Sequence, residues 1–177
     1  MTKKKLVIIV IILLTTNLLF SYTAWQTKVK NDKVIDGHKL NIIRNFENIN
    51  LESFKDPDYN VYKHNTMNSI TRIEESAKTL RSSERLTRDE YLINGSVLGT
   101  MENLNEVLFQ IEKYYDEEKP FTLNFCSDVS IEDNEDIEQE LNMYKDIIKF
   151  IEKPRADWNT LLEEWDRDNL SFCDRRL

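Results

Sequence analysis

Glycine and proline are almost absent, at three residues each in a chain of 177. A β-sandwich, or an α/β enzyme with elaborate loops, would need many such turn residues. Their scarcity favours long helices joined by few turns. Histidine occurs twice, as His38 and His64, and neither stands in a metal-ligand spacing. The two cysteines, Cys126 and Cys173, make no CxxC pair. There is no G-x-S-x-G, no phosphate-binding loop and no dinucleotide fingerprint. The sequence therefore predicts no catalytic residue, no metal and no cofactor.

Basic charge is in the minority, with 24 Lys and Arg against 32 Asp and Glu, for a net charge of −8. The first 25 residues hold Lys3, Lys4 and Lys5 and no acid, so the remainder is more acidic still. Such a domain repels polyanions, which makes nucleic acid a poor partner. The surface of an anionic membrane is equally poor for the acidic domain. The acidity reads as a solvated surface that keeps the domain soluble.

What is present is one long hydrophobic run. Met1 to Lys5 is short and basic, and Leu6 to Leu14 is unbroken LVIIVIILL. Thr15, Thr16 and Asn17 interrupt it, then Leu18, Leu19 and Phe20 resume. As a helix, Leu6 to Trp25 spans about 30 Å, the thickness of a bilayer core. Tyr22 and Trp25 fall where aromatics settle at an interface, and the lysines mark the cytoplasmic side. A cleaved signal peptide is the competing reading. It needs small residues at −1 and −3, but cutting after Ala24 puts Tyr22 at −3, and cutting after Ser21 puts Leu19 there. The expectation is a retained, single-pass anchor in the cell membrane with the remainder outside the cytoplasm. Cleavage would leave that remainder secreted or periplasmic.

Three segments follow from the pattern: 1–25 as anchor or signal, 26–36 as a polar spacer or helix extension, and 37–177 as an extracytoplasmic helical domain. Leu40, Ile42, Ile43, Phe46 and Ile49 predict a short helix. Asp56-Pro57 reads as a helix start. The stripe Tyr62, Thr66, Ile70, Ile73, Ala77, Leu80 predicts a helix to about Glu84. Thr87 and Glu90 make a capping box. Behind it the stripe Tyr91, Gly95, Leu98, Met101, Leu104, Leu108, Ile111, Tyr115 predicts about eight turns. Gly95 and Gly99 within it imply either close approach of a neighbour or a locally weak helix. Phe121 to Val129 reads as a loop, and Ser130 as the start of a third long helix with the stripe Ile137, Leu141, Tyr144, Ile148, Ile151. Trp158, Leu162 and Trp165 continue its phase beyond Pro154, as one kinked helix or two. The fold class is all-α, an up-down bundle of antiparallel long helices or a coiled coil.

Several groups invite a chemical reading. The acids from Asp128 to Glu140 suggest calcium. As a calcium-binding loop, however, they place Asp133 where glycine is needed and Gln139 where a bidentate Glu is needed. A solvated helix N-terminus fits better. Lys78, Arg81, Arg85 and Arg88 gather at a predicted turn, where they either neutralise helix C-terminal carbonyls or meet an acidic partner. Trp158 and Trp165 read as core or, if exposed together, as a partner surface. The sequence thus favours a non-enzymatic, membrane-anchored interaction module, with Arg81, Arg85, Trp158 and Trp165 as partner contacts and a protein as partner. The alternatives are an extracytoplasmic enzyme acting on wall or glycan through paired carboxylates, and a small-ligand binder with its pocket between helices.

Outside the cytoplasm an even cysteine pair predicts a disulfide. A Cys126–Cys173 bond closes a loop of about 48 residues and stabilises by about 4 kcal/mol in the chain-entropy model. Alkylation of denatured protein from intact cells is expected to label neither cysteine before reduction and both after it.

Overall fold

The computed structural model describes residues 3–55, 60–83, 85–124, 128–148 and 158–167. Its chain divides into two compact units, Met1–Gly37 and His38–Leu177. Helix α1 runs Lys3–Phe46. Among the described residues it is the one helix long and apolar enough to cross a membrane, and none of its apolar window is buried. The threonines inside this run bond back to their own helix. Thr15 Oγ1 donates to the Ile11 and Ile12 carbonyls, and Thr16 Oγ1 donates to that of Ile12. Thr23 bonds back to Leu19 and Phe20 in the same way. Bonding back to the preceding turn gives each hydroxyl a partner within its own helix.

The segment 26–36 is helical, so the extension is what forms, and Gly37 does not break it. The predicted short helix at 40–49 is the last part of the same α1. In the second unit Ile42, Ile43 and Phe46 turn inward and are buried. A 3-10 turn, Leu51–Phe54, follows and buries Leu51 and Phe54. Helix α2 is Asn60–Arg81 and helix α3 is Arg88–Glu117. The Asp56-Pro57 start and Glu84 lie outside the described residues. The two helices pack along each other. They run antiparallel: Arg81 meets Tyr91 nearest the turn, Asn94 Nδ2 donates to the Ala77 carbonyl at 2.9 Å, and Glu74 reaches Asn105 further along α3. Thr66, Ile70, Ile73, Ala77 and Leu80 of the α2 stripe are buried, as are Leu98, Met101, Leu104, Leu108 and Ile111 of the α3 stripe. The first members, Tyr62 and Tyr91, are exposed.

The capping box forms as read. Glu90 N–H donates to Thr87 Oγ1 at 3.2 Å and Thr87 N–H to Glu90 Oε2 at 2.9 Å. At the other end of α3, Glu118 takes φ 53°, ψ 35° and donates its N–H to Tyr114 O. That left-handed cap usually belongs to glycine.

The segment after Pro120 departs from expectation. Phe121–Asn124 (β1) and Asp128–Ile131 (β2) pair antiparallel, with Phe121 opposite Ile131 and Leu123 opposite Val129. Leu123 and Ile131 are buried while Thr122 and Ser130 are exposed. This period-2 alternation is what a half-buried strand requires. Ser130 is therefore a strand residue, not a helix start. Helix α4 is Asn134–Ile148, begun by Asp133, whose Oδ1 accepts the Glu135 and Asp136 N–H groups at 2.8 and 3.1 Å. Ile137, Leu141 and Tyr144 form its buried face. Helix α5 is Trp158–Arg167 and packs on α3. Pro154 and Ile151 lie outside the described residues. The second unit is thus an all-α bundle carrying one small hairpin.

Charged groups fasten the 3-10 turn to α4. Glu52 meets Lys145 at 2.7 Å and Lys55 at 3.3 Å, and Lys55 also meets Glu138 at 2.9 Å. The Lys145 bond outweighs burial and holds the Glu52 carboxyl below its usual value. These groups are largely solvated, so the network fixes geometry more than it stabilises.

Two backbone positions can be improved, for opposite reasons. A Cβ at Gly99 meets nothing within 4 Å, so close approach of a neighbour does not explain that glycine. Gly99→Ala is expected to stabilise by about 1 kcal/mol through helix propensity. Glu118→Gly is expected to stabilise by about 1 kcal/mol by relieving the left-handed cap. Thermal unfolding of the full chain in detergent, followed by circular dichroism, checks both.

Candidate functional site

The end of the bundle at the α2–α3 turn gathers most of what the sequence singled out. Helix α2 finishes in Lys78 and Arg81, and Thr87 starts α3 six residues later, which places Tyr91 in the first turn of α3. Arg81 lies over the Tyr91 ring, 5.5 Å from its centroid, and donates from Nε to the Tyr91 hydroxyl at 3.3 Å. Both residues are exposed, as are Arg85, Arg88 and Leu92. Leu92, the next residue of α3, is 59% exposed, a large apolar side chain left in water.

Lys78 plays a different part. Its Nζ stands 2.9 Å from Glu102 and 3.5 Å from Glu74, bridging α3 and α2. The bond to Glu102 raises its pKa. Lys78 is thereby matched within the protein, and Arg81 meets Tyr91 instead of a helix carbonyl.

Behind this surface the support is built around Glu90. Its Oε2 accepts the Thr87 N–H and its Oε1 meets Lys39 Nζ at 3.3 Å. Burial pushes the Glu90 carboxyl up, but Thr87 and Lys39 together outweigh it and hold the group below its usual value. Lys39 also sits 5.9 Å over the Trp158 ring. Trp158 is only 6% exposed, so it packs in the core and supplies no outer contact surface. The partner-contact role expected of it is corrected: the ring is buried, beneath Lys39. Trp165 lies on α5, but its side chain is outside what the structure describes. Cys126 and Cys173 also lie outside the described residues.

The acidic run resolves into helix capping where it is described. Asp133 caps α4, and Asp136 Oδ2 accepts the Glu132 N–H at 2.8 Å. Among the described residues no three His, Cys, Asp or Glu side chains are grouped to hold a metal. His38 and His64 stand apart on α1 and α2.

One acid does depart from ordinary behaviour in the way a functional carboxylate does. Glu74 is buried between α2 and α3, and its Oε1 finds no hydrogen bond. Burial pushes its carboxyl up. Lys78 opposes this, Glu102 adds to it, and the Asn105 amide opposes it less. The Asn105 Oδ1 is buried without a partner as well. These groups bridge two helices, and Lys78 already joins both carboxylates, so the cluster reads as an internal polar seam. Sequence patterning missed it, because Glu74 and Asn105 lie outside the apolar stripes.

No known protein family, curated protein or solved structure matches the chain.

The seam has a pH signature. With its pKa raised on folding, Glu74 binds its proton more tightly in the folded state. Its contribution is most favourable below the ordinary carboxylate value of 4.5 and is lost as pH rises through the folded value. Glu74→Gln removes the buried charge at neutral pH. The variant is expected to melt a few degrees higher than wild type at pH 7. That difference should shrink towards zero at pH 4, as thermal melts at the two pH values would report.

Proposed function

We propose that the chain is a non-enzymatic interaction module of the cell envelope. Its first helix holds it in the membrane as a single-pass anchor, and its helical unit meets a protein partner outside the cytoplasm. The observation that carries this reading is the exposed α2–α3 end, where Arg81 stacks on Tyr91 and where Arg85, Arg88 and Leu92 are exposed as well. Arginine and tyrosine are the residues most often dominant at protein interfaces. A rigid stack held by a capped helix loses little entropy on binding. Its positive charge on an otherwise acidic chain favours an acidic partner patch and steers encounter with it.

The anchor reading is supported by the length and apolar character of α1 and by Tyr22 and Trp25 at its end. A second reading, with the unit in the cytoplasm, is favoured by one specific observation. Lys28, Lys30, Lys33 and Lys39 follow the apolar run within about 15 residues and outnumber Lys3, Lys4 and Lys5 before it. The bias in Lys and Arg between the two flanks sets orientation. The leading reading rests instead on the short basic start immediately before the run, the usual form of a signal-anchor.

Photo-crosslinking from position 92 in intact cells tests the module. A discrete adduct is expected, reduced at least tenfold by Arg81→Glu. No adduct from position 92 or 85, with wild type cleaving wall polymer, would sink the reading. Protease added to intact spheroplasts is expected to degrade the helical unit; complete protection would favour the cytoplasmic arrangement.

A further inference from the structure

We infer that Lys30 and Lys33, together with Trp25, form a binding site for the phosphate headgroup of an anionic phospholipid. The site lies on the face of α1 just beyond its apolar run, and the inference rests on the anchor reading. Lys30 and Lys33 are three residues apart, so they share one helix face. Both are exposed. Gln26 and Thr23 continue that face towards the apolar run. A groove of about 560 Å³ follows it, with Trp25, Lys30 and Lys33 in its wall.

Depth and direction agree with a lipid occupant. Lys30 is five residues past Trp25, about 7.5 Å along the axis. The headgroup layer is about 5–8 Å thick on each side of the hydrocarbon. Helix side chains lean towards the N-terminus, and here that direction is back to the bilayer. Both ammonium groups are thus carried down to the phosphate level, the snorkelling long side chains make at interfaces.

Other polar groups nearby are directed elsewhere. Thr23 Oγ1 and Thr27 Oγ1 donate to carbonyls of α1 itself, and Gln26 Nε2 donates to the Tyr22 hydroxyl at 2.6 Å. Lys28 and Asp32 each have interactions of their own. Asp32 is about 160° round the helix from Lys30 and about 100° from Lys33. Asp36 stands nearly a turn further from the membrane than Lys33. The lysine face therefore presents positive charge, and the Trp25 indole stands about 80° round the helix from Lys33 at the edge of the same groove, the complement of an anionic headgroup above an acyl chain.

The test uses the full chain in phosphatidylcholine vesicles that carry brominated phosphatidylglycerol or, at equal mole fraction, brominated phosphatidylcholine. Bromine quenches tryptophan only near contact, and Trp25→Phe supplies the baseline. Wild type is expected to show local enrichment of the anionic lipid of about fivefold per lysine. Lys30→Gln with Lys33→Gln should equalise quenching by the two lipids, while Lys28→Gln keeps most of the preference. Unchanged preference in the double variant, or equal loss in Lys28→Gln, overturns the site and leaves the anchor standing. No quenching of Trp25 by either lipid overturns the anchor and the site together.

Discussion

The arrangement of the bundle depends on the two oxygens of one carboxylate. Glu90 accepts the Thr87 N–H with one and Lys39 with the other. The first bond starts α3 at a fixed residue. The second draws the end of α1 against it, and Lys39 in turn lies over Trp158 of α5. Three elements far apart in sequence are registered by one side chain. Because the pair is largely shielded from water, it is screened less than a surface ion pair. The Arg81–Tyr91 stack rises from the turn that Glu90 fixes, so the candidate docking surface inherits its rigidity from this support.

Much of the helical framework was legible because apolar stripes at spacings of three and four need few other conditions. The middle of each stripe is buried as read. The stripes failed at their ends: Tyr62 and Tyr91 keep the phase, but they stand in the first turns of α2 and α3, where little of the bundle covers them. The α1 continuation was open because the polar stretch 26–36 contains no residue that ends a helix strongly. The hairpin was hidden by length. Phe-Thr-Leu-Asn and Asp-Val-Ser-Ile each alternate for four residues, too briefly to outweigh the helix-like acids behind them, and pairing is visible only once the partner strand is known. The capping box was legible from Thr87 and Glu90 alone, but not that Glu90 also reaches Lys39, a tertiary contact across 51 residues.

The polar groups of the second unit divide into two kinds. Asn41, Asn45 and Ser76 satisfy one another between α1 and α2, with Asn41 donating to Ser76 Oγ and Asn45 donating to Asn41. The buried Lys63 sets its Nζ over the Phe54 and Tyr115 rings, 5.9 and 5.7 Å from their centroids. Glu74 and Asn105 instead keep oxygens without partners. Satisfied groups specify which helices meet, since a shifted register would leave them unpaired. The unsatisfied pair opposes the same packing it sits in, and the hydrophobic stripes of α2 and α3 must outweigh it.

The hairpin narrows the ways this protein can be recognised. A two-stranded sheet exposes backbone donors and acceptors along its edges, and strand addition is a common way for one chain to capture another. Here each strand is four residues long. Pro120 stands directly before β1 and brings no N–H to the edge, and Glu132 and Asp133 place charge directly after β2. Short strands bounded by proline and charge are how proteins blunt such edges. The backbone is therefore a poor template for another chain, and the proposed partner would have to be met by side chains displayed on helices.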